Sequence, residues 1–549
     1  MCIRDRKYSL KITLSILILN SFFGCKKNVD LVIYNANIYT VDNDFSNVSA
    51  VAIKDGFFFD VGGNDLLNKY HVKESFDLNG STVLPGLIDA HCHFYGLGLN
   101  QQVIDLVGTK SFEEILLKLK SSSKNNSVVK GRGWDQNDWE NKQFPNKTKL
   151  DILFPDIPVV LERIDGHAYL VNQKALDMAK ITSQTKEIAG TIVKSKGKLT
   201  GILIDGPMRL IDNVLPELSN SEKEQALLDA QKICLENGLT TVDDAGLSKE
   251  TIFLIDKLQK EDVLKMRVYA MVSNSKSNLD YFLNKGPIKT PRLNVSSVKI
   301  YGDGALGSRG ATLKSPYHDD KQNFGKLITN PSNLENLAIK IAKANFQMNT
   351  HAIGDSTVKL LLNTYSKVLE NKKDPRWRIE HSQIIDLNDM DGFNNKILPS
   401  VQPTHATSDM YWAEDRVGSS RINGAYAYKT LLNKSKVIGL GTDFPVERVN
   451  PFHTFYAAVS RKDLNGYPEK GFQLQNALSR EETLKGMTIW AAYLNFEEKE
   501  KGSIEKGKFA DFIIIDRDIM KIDINQTPKT NVLKTYISGE LVYNSKNKS

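Results

Sequence analysis

Leu84-Pro85-Gly86-Leu87-Ile88-Asp89-Ala90-His91-Cys92-His93 is the stretch on which the fold turns. Pro85 and Gly86 break the chain before Leu87 and Ile88, and a short apolar run after such a break reads as a buried strand. Successive side chains on a strand point to opposite faces, so His91 and His93 point the same way and both imidazoles can reach one ion. Cys92 between them faces the other way, as a small buried hydrophobe. An H-x-H pair alone is a weak signal; its weight comes from the company it keeps farther down the chain.

Downstream, strand patterns ending in or near polar residues recur at 239–243, 266–272, 298–303, 347–351, 376–381, 397–402 and 437–443. With 87–93 they make eight, and helical patterns such as 334–344 and 356–369 lie between them. Eight βα units are what a closed (β/α)8 TIM barrel requires. The expected fold is therefore α/β, with the barrel over residues 85–490. About 145 residues separate the first two strands. Structureless loops do not reach that length in a compact domain, so an inserted subdomain is expected at about 95–235. Both ends are β-rich: Leu31-Val32-Ile33-Tyr34 and Ala50-Val51-Ala52-Ile53 at one, Phe512-Ile513-Ile514-Ile515 and Leu541-Val542-Tyr543 at the other. Residues 28–84 and 491–549 are expected to join as one small β-sandwich domain.

Active sites of this barrel sit at the C-terminal ends of its strands. Of the nine histidines, His91, His93, His351 and His381 fall at such ends, and Asp443 ends the eighth strand in Gly441-Thr442-Asp443. Packing alone rarely concentrates four histidines and a carboxylate there. Lys299 lies within apolar Val298-Lys299-Ile300-Tyr301. A lysine in a buried strand is costly unless compensated. Two solutions are open: a structural ion pair, or carbamylation by CO2 to a carboxylate that bridges two cations.

The chain has 549 residues, 41% hydrophobic and 25% charged, enough for one large catalytic domain with appendages. Its formal net charge is +7; Arg4, Arg6, Lys7 and Lys11 against Asp5 account for three of those charges, which leaves +4 on the body. So small a surplus predicts no nucleic-acid partner. The basic start precedes an apolar run at 12–18 that is too short to span a bilayer but fits a signal peptide over residues 1–25. It closes on Ser21-Phe22-Phe23-Gly24-Cys25, which resembles a bacterial lipobox. Cys25 is thus the expected lipidation site, and the bacterial cell envelope the expected location, with the protein anchored to a membrane. Cys92 and Cys234 remain for the body and do not make a disulfide framework.

The chain resembles the amidohydrolase superfamily, in its family 3 branch with N-substituted formamide deformylases and related exported hydrolases. The likeness rests on the opening motif and on Gly131-Arg132-Gly133-Trp134-Asp135-Gln136, Asp165-Gly166-His167-Ala168, Val298-Lys299-Ile300-Tyr301-Gly302-Asp303-Gly304, His351-Ala352-Ile353-Gly354-Asp355, Ile379-Glu380-His381, Val401-Gln402-Pro403-Thr404-His405, Gly441-Thr442-Asp443-Phe444-Pro445-Val446 and residues 502–511. The resemblance implies one divalent ion on His91, His93 and Asp443 and a second on His351 and His381. Carbamylated Lys299 and a hydroxide would bridge them, and Asp443 would carry the proton to the leaving nitrogen. Such ligands suit one or two zinc ions, and iron, manganese or cobalt also fit. Trp134, Asp135, His167, Tyr301, Arg309 and His405 are candidates for substrate binding, each against the alternative of a packed loop residue. Gly302, Gly304, Gly307 and Gly310 do not follow the order of a phosphate-binding P-loop. The expected activity is hydrolysis of a non-peptide carbon–nitrogen bond in a small-molecule amide. A deaminase or cyclic-amide hydrolase, or a ligand-binding lipoprotein without turnover, are the alternatives. Expected partners are the substrate and a membrane; a homodimer is compatible with the chain.

Overall fold

The computed structural model describes residues 26–122 and 127–547. Eight parallel strands form its centre: Leu87–Cys92, Leu239–Leu247, Arg267–Ser273, Leu293–Tyr301, Gln347–Ala352, Trp377–His381, Ile397–Val401 and Gly439–Leu440. Each pairs with the next in chain order, and the ring closes where the Asp443 N–H donates to the His91 carbonyl at 2.8 Å and the His93 N–H to that of Phe444 at 2.8 Å. This is a (β/α)8 barrel, and its seam runs through three of the predicted ligands.

The last strand is short because its chain leaves the ladder at Gly441. A β-carbon at Gly441 would lie 2.5 Å from the His91 nitrogen, so only glycine lets the two strands come this close. Helices Lys249–Lys260, Pro331–Lys343 and Asp355–Val368 belong to the outer layer. Pro331–Lys343 shows why such a segment is helical. Asn330 caps it by accepting from the Asn333 N–H, Pro331 opens it, Leu334, Ala338, Ile341 and Ala342 form the buried stripe, and Lys340 and Lys343 sit by its negative end.

Between the first two barrel strands, a six-stranded sheet runs in the order Gly190–Ser195, Lys198–Asp205, Ala168–Val171, Val159–Arg163, Val129–Trp134, Ile104–Asp105. It has its own apolar core, with Leu106, Ile115, Trp134, Leu161 and Leu170 at the centre. Two further sheets flank the barrel. One holds Phe57–Gly62, Ala50–Lys54, Asn28–Tyr34 and His71–Asp77. The other interleaves both ends of the chain, with Phe512–Ile515 antiparallel on Thr82–Pro85. Ile33, Val51, Phe58, Val83, Ile514 and Tyr536 share the core of these sheets. Helix Ile489–Leu494 instead packs under the barrel, with Ala491 and Ala492 against Ile88 and Ala90. The buried Arg267–Asp511 pair at 2.6 Å ties the barrel to the β-domain.

Candidate metal centre

The strand ends and the insertion enclose a cavity of about 2090 Å³. His93, Lys299, His351, His381, His405 and Asp443 lie on its wall. His91 is fully buried beneath them, its ring 4.7 Å from that of His381 and 5.9 Å from that of His93.

The environment sets the ionic form of each ligand. Burial holds the His91, His351 and His381 imidazoles below their ordinary pKa, and the Lys299 charge reinforces it. They are therefore neutral, the form that binds metal. Glu380, also fully buried, places Oε2 2.5 Å from His91 Nδ1. Burial would raise the Glu380 carboxyl, but the His91 and Arg378 contacts outweigh it and hold it low. The carboxylate therefore accepts from Nδ1–H and leaves the Nε2 lone pair facing the site. His381 is turned likewise, its Nδ1 donating to Gln402 Oε1 at 2.8 Å. Burial works against the charge on Asp443, yet His93, His91 and His381 hold its carboxyl well below the usual range. Asp443 and His381 both adopt left-handed backbone, at φ 61° and 70°. Such strain persists only where the surroundings over-determine it.

The donor set fits a divalent ion. Asp443 Oδ1 is buried with no hydrogen-bond partner among the described residues, although His93 Nε2 lies 3.2 Å and His91 Nε2 3.7 Å away. A buried carboxylate oxygen left without a hydrogen bond beside two imidazole nitrogens is unfavourable without a cation. Ligand atoms of His91, His93 and Asp443 lie within 4.8 Å of one another, and so do those of His381, His405 and Asp443. His351 belongs to neither group; its Nε2 is 3.5 Å from the Gly304 carbonyl and 3.7 Å from Asp303 Oδ1.

Lys299 has no ion-pair partner among the described residues: its Nζ lies 3.1 Å from His91 Nε2 and 5.1 Å from the Tyr301 ring centre. The structural ion pair is thus absent. Burial pushes the ammonium down to about 8, against the pull of Glu380, Asp443 and Asp244.

Of the six substrate-binding candidates, Asp135, His167, Tyr301 and His405 line the cavity. Asp135 is committed to Arg163 and to the Asn137 N–H. His167 reaches the mouth from the insertion, its Nδ1 2.6 Å from Asp205 Oδ1 and its ring 5.1 Å from that of His351. Two expectations are corrected. Trp134 faces the core of the insertion, fully buried, with its indole N–H donating to the Leu161 carbonyl at 2.9 Å. Val129 shares that core while Lys130 and Arg132 line the cavity, and a register shift between Arg132 and Trp134, at Gly133 with φ 111°, reverses the alternation and turns Trp134 inward. Arg309 turns away to a two-pronged contact with Asp319, at 2.8 Å for Nη2. The Gly304 and Gly310 loop serves close packing: β-carbons there would lie 2.6 and 3.0 Å from Asp205 Oδ2. Sequence reading passed over Glu380, Gln402, Asp205 and Asp244. Glu380 and Gln402 sat inside recognised motifs, but no spacing rule ties them to a particular histidine.

The model of the amidohydrolase family matches residues 74–543. Protein LONG AFTER FAR-RED 3 of Arabidopsis thaliana is 31% identical over 540 residues, 94% of this chain and 91% of its own. The N-substituted formamide deformylase of Arthrobacter pascens is 24% identical, over 94% of this chain and 98% of its own. Among solved structures, an uncharacterised metal-dependent hydrolase of Pyrococcus horikoshii superposes with a TM-score of 0.74 at 27% identity, over 90% of this chain and 99% of that one.

Proposed function

The chain belongs to the amidohydrolase family, in its family 3 branch, and from that membership we propose that it hydrolyses a non-peptide carbon–nitrogen bond in a small-molecule amide. The observation that carries the proposal is the convergence of His91, His93 and the unpartnered Asp443 Oδ1 at the floor of the cavity. These three residues would hold the first divalent ion, zinc being well suited. When bound, such ions supply a hydroxide at neutral pH and polarise a carbonyl oxygen.

The remaining chemistry belongs to the chain's own residues. Asp443 is ionised and faces both histidine pairs, so it can accept a proton and return it to the leaving nitrogen. Burial depresses the Lys299 pKa to about 8, and no carboxylate of the described residues lies within ion-pair distance of it, although Glu380, Asp443 and Asp244 act on it from farther off. Its neutral amine can attack CO2, losing a proton and gaining a carboxylate. His167 and Tyr301 flank the space above His351, with ring centres 5.1 and 5.7 Å from it, and can orient the amide. The relative from Arthrobacter pascens, an N-substituted formamide deformylase, supports an N-acyl or formamide group as the substrate class.

The test is a panel of N-formyl and N-acyl amines, esters and amino-heterocycles, assayed with protein loaded with zinc, manganese or cobalt and with chelated protein. Metal-dependent release of acid and amine is expected. Release of ammonia alone would make the enzyme a deaminase, and no turnover in any loaded form would overturn the proposal.

A further inference from the structure

We propose that Asp409 and Glu447 form an anionic subsite on the cavity wall, which selects amides that carry an organic cation, an alkyl ammonium or guanidinium group, away from the scissile bond. This rests on the reading of the chain as an amide hydrolase and narrows its substrate class.

Both carboxylates line the cavity. Asp409 ends the helix Pro403–Asp409, which follows the seventh barrel strand, and Glu447 comes from the loop after the eighth. Ser408 joins the two, its hydroxyl donating to Glu447 Oε1 at 2.6 Å. Asp409 Oδ2 accepts from Gln383 Nε2 at 3.0 Å and from the Tyr426 hydroxyl at 2.8 Å. Those neutral donors fix the carboxylate and bring no positive charge. Asp135, Asp165 and Asp205 on the same wall are paired with Arg163 or His167. Asp409 and Glu447 have no ion-pair partner among the described residues; His405 and Arg448 act on them only from farther off. Burial, with Glu447 and Asp135 nearby, pushes the Asp409 carboxyl up to about 7, and burial raises Glu447 as well. A cation lodged between the two would offset their burial and their mutual repulsion.

A second observation points to a ligand at the same place. His405 Nε2 is buried with no hydrogen-bond partner among the described residues, and the residue, 9% exposed, lines the cavity. On one side it stands 3.7 Å from Asp443 Oδ2. On the other, Asp409 follows it by one helical turn on the same face, about 5–6 Å away between β-carbons. A ligand that reaches from Asp443 to Asp409 passes His405 and gives its nitrogen a partner. Trp412, whose N–H donates to the Asp409 carbonyl at 2.9 Å, lines the same wall, and aromatic walls favour organic cations. Acidic side chains outnumber basic ones around the cavity, although the chain as a whole has a formal net charge of +7. A cleft of one sign concentrates ligands of the other.

The experiment compares zinc-loaded wild type, Asp409→Asn, Glu447→Gln and Glu447→Lys, with circular dichroism to confirm folding. The probes are methanesulfonamides of ω-aminoalkylamines over a series of chain lengths, against those of plain alkylamines and ω-aminocarboxylates of equal length. They contain no hydrolysable carbonyl, so calorimetry reads their binding without turnover. The matching N-formyl and N-acetyl amines are assayed beside them for kcat/KM. At the best length the wild type is expected to prefer the ammonium probe over the neutral one by about 10- to 100-fold. That ratio should fall about tenfold in Asp409→Asn and in Glu447→Gln, and Glu447→Lys should favour the carboxylate probe. Should Asp409→Asn not fold, the two Glu447 variants decide. No preference for the ammonium probe at any length in the wild type would overturn the subsite, as would a preference that survives the substitutions. A preference in binding without hydrolysis of any amide would instead overturn the hydrolase reading and leave the subsite standing.

Discussion

Glu380 Oε2 lies 2.5 Å from His91 Nδ1, with both side chains wholly out of water inside the barrel. The carboxylate belongs to a buried polar column. Two residues back on the same strand, Arg378 contacts Asp243 at 3.0 Å, and Asn495 beneath the barrel donates to the same Asp243 at 2.7 Å. Glu380 is thus a positioning residue for His91. A carboxylate behind a ligating imidazole fixes its tautomer and raises its basicity. Glu380→Gln should weaken metal binding by about 10- to 100-fold, as read by competition with a coloured chelator. Unchanged affinity in a folded variant would reduce the contact to packing.

Asp443 has two jobs that substitution can separate. Asparagine can still offer an oxygen to an ion but cannot accept a proton. Asp443→Asn should therefore keep most of its metal while kcat falls about 10²- to 10⁴-fold, the usual worth of a positioned acid–base group. His91→Ala should lose metal and activity in parallel. Near-normal kcat in Asp443→Asn would rule out the shuttle.

Lys299→Ala should lose bound metal along with activity, and a short carboxylic acid added to the variant should restore part of both. Intact-mass measurement of the active, loaded wild type should show one added CO2. A free amine in that sample would exclude carbamylation.

His167 makes stability depend on pH. Burial alone would lower its pKa, but Asp205 and Asp165 outweigh it and raise the imidazole to about 9 from its ordinary 6.5. For a base whose folded pKa is raised, the stabilisation is complete below the unfolded value and disappears as pH climbs through the folded one. His167→Gln should therefore cost stability at pH 6, by roughly 1–3 kcal/mol at most, and much less at pH 10. Denaturant titrations at the two pH values measure this, and an equal cost at both would show that the Asp205 contact carries no charge.

Cys25 lies outside the described residues, and membrane anchorage through it stands as a proposal from the sequence. No helix of the described residues is long and apolar enough to cross a membrane. Cys25→Ser should move the protein from the membrane to the soluble fraction, since several acyl chains hold a protein to a bilayer where none would. Unchanged fractionation would sink the anchor.

The barrel was legible because its determinants are local. Alternation makes His91 and His93 co-facial, and each βα unit closes with a polar residue where its strand emerges. The eight strands observed fall on the eight segments read from pattern alone. What the chain's order could not say was which side chains meet across the barrel. Trp134 sits next to Asp135, yet one fills the insertion's core and the other faces the cavity, a difference of one residue in strand phase. His405 and Asp443 are 38 positions apart, and their approach depends on the closing of the seventh and eighth strands against the first. Glu380 reaches His91 across nearly 290 residues for the same reason. Residue types and periodicity carry which groups line a strand end, because those are properties of neighbours in sequence. Ligand pairing, tautomers and unpartnered oxygens depend on distances between strands, and only the closed barrel sets those.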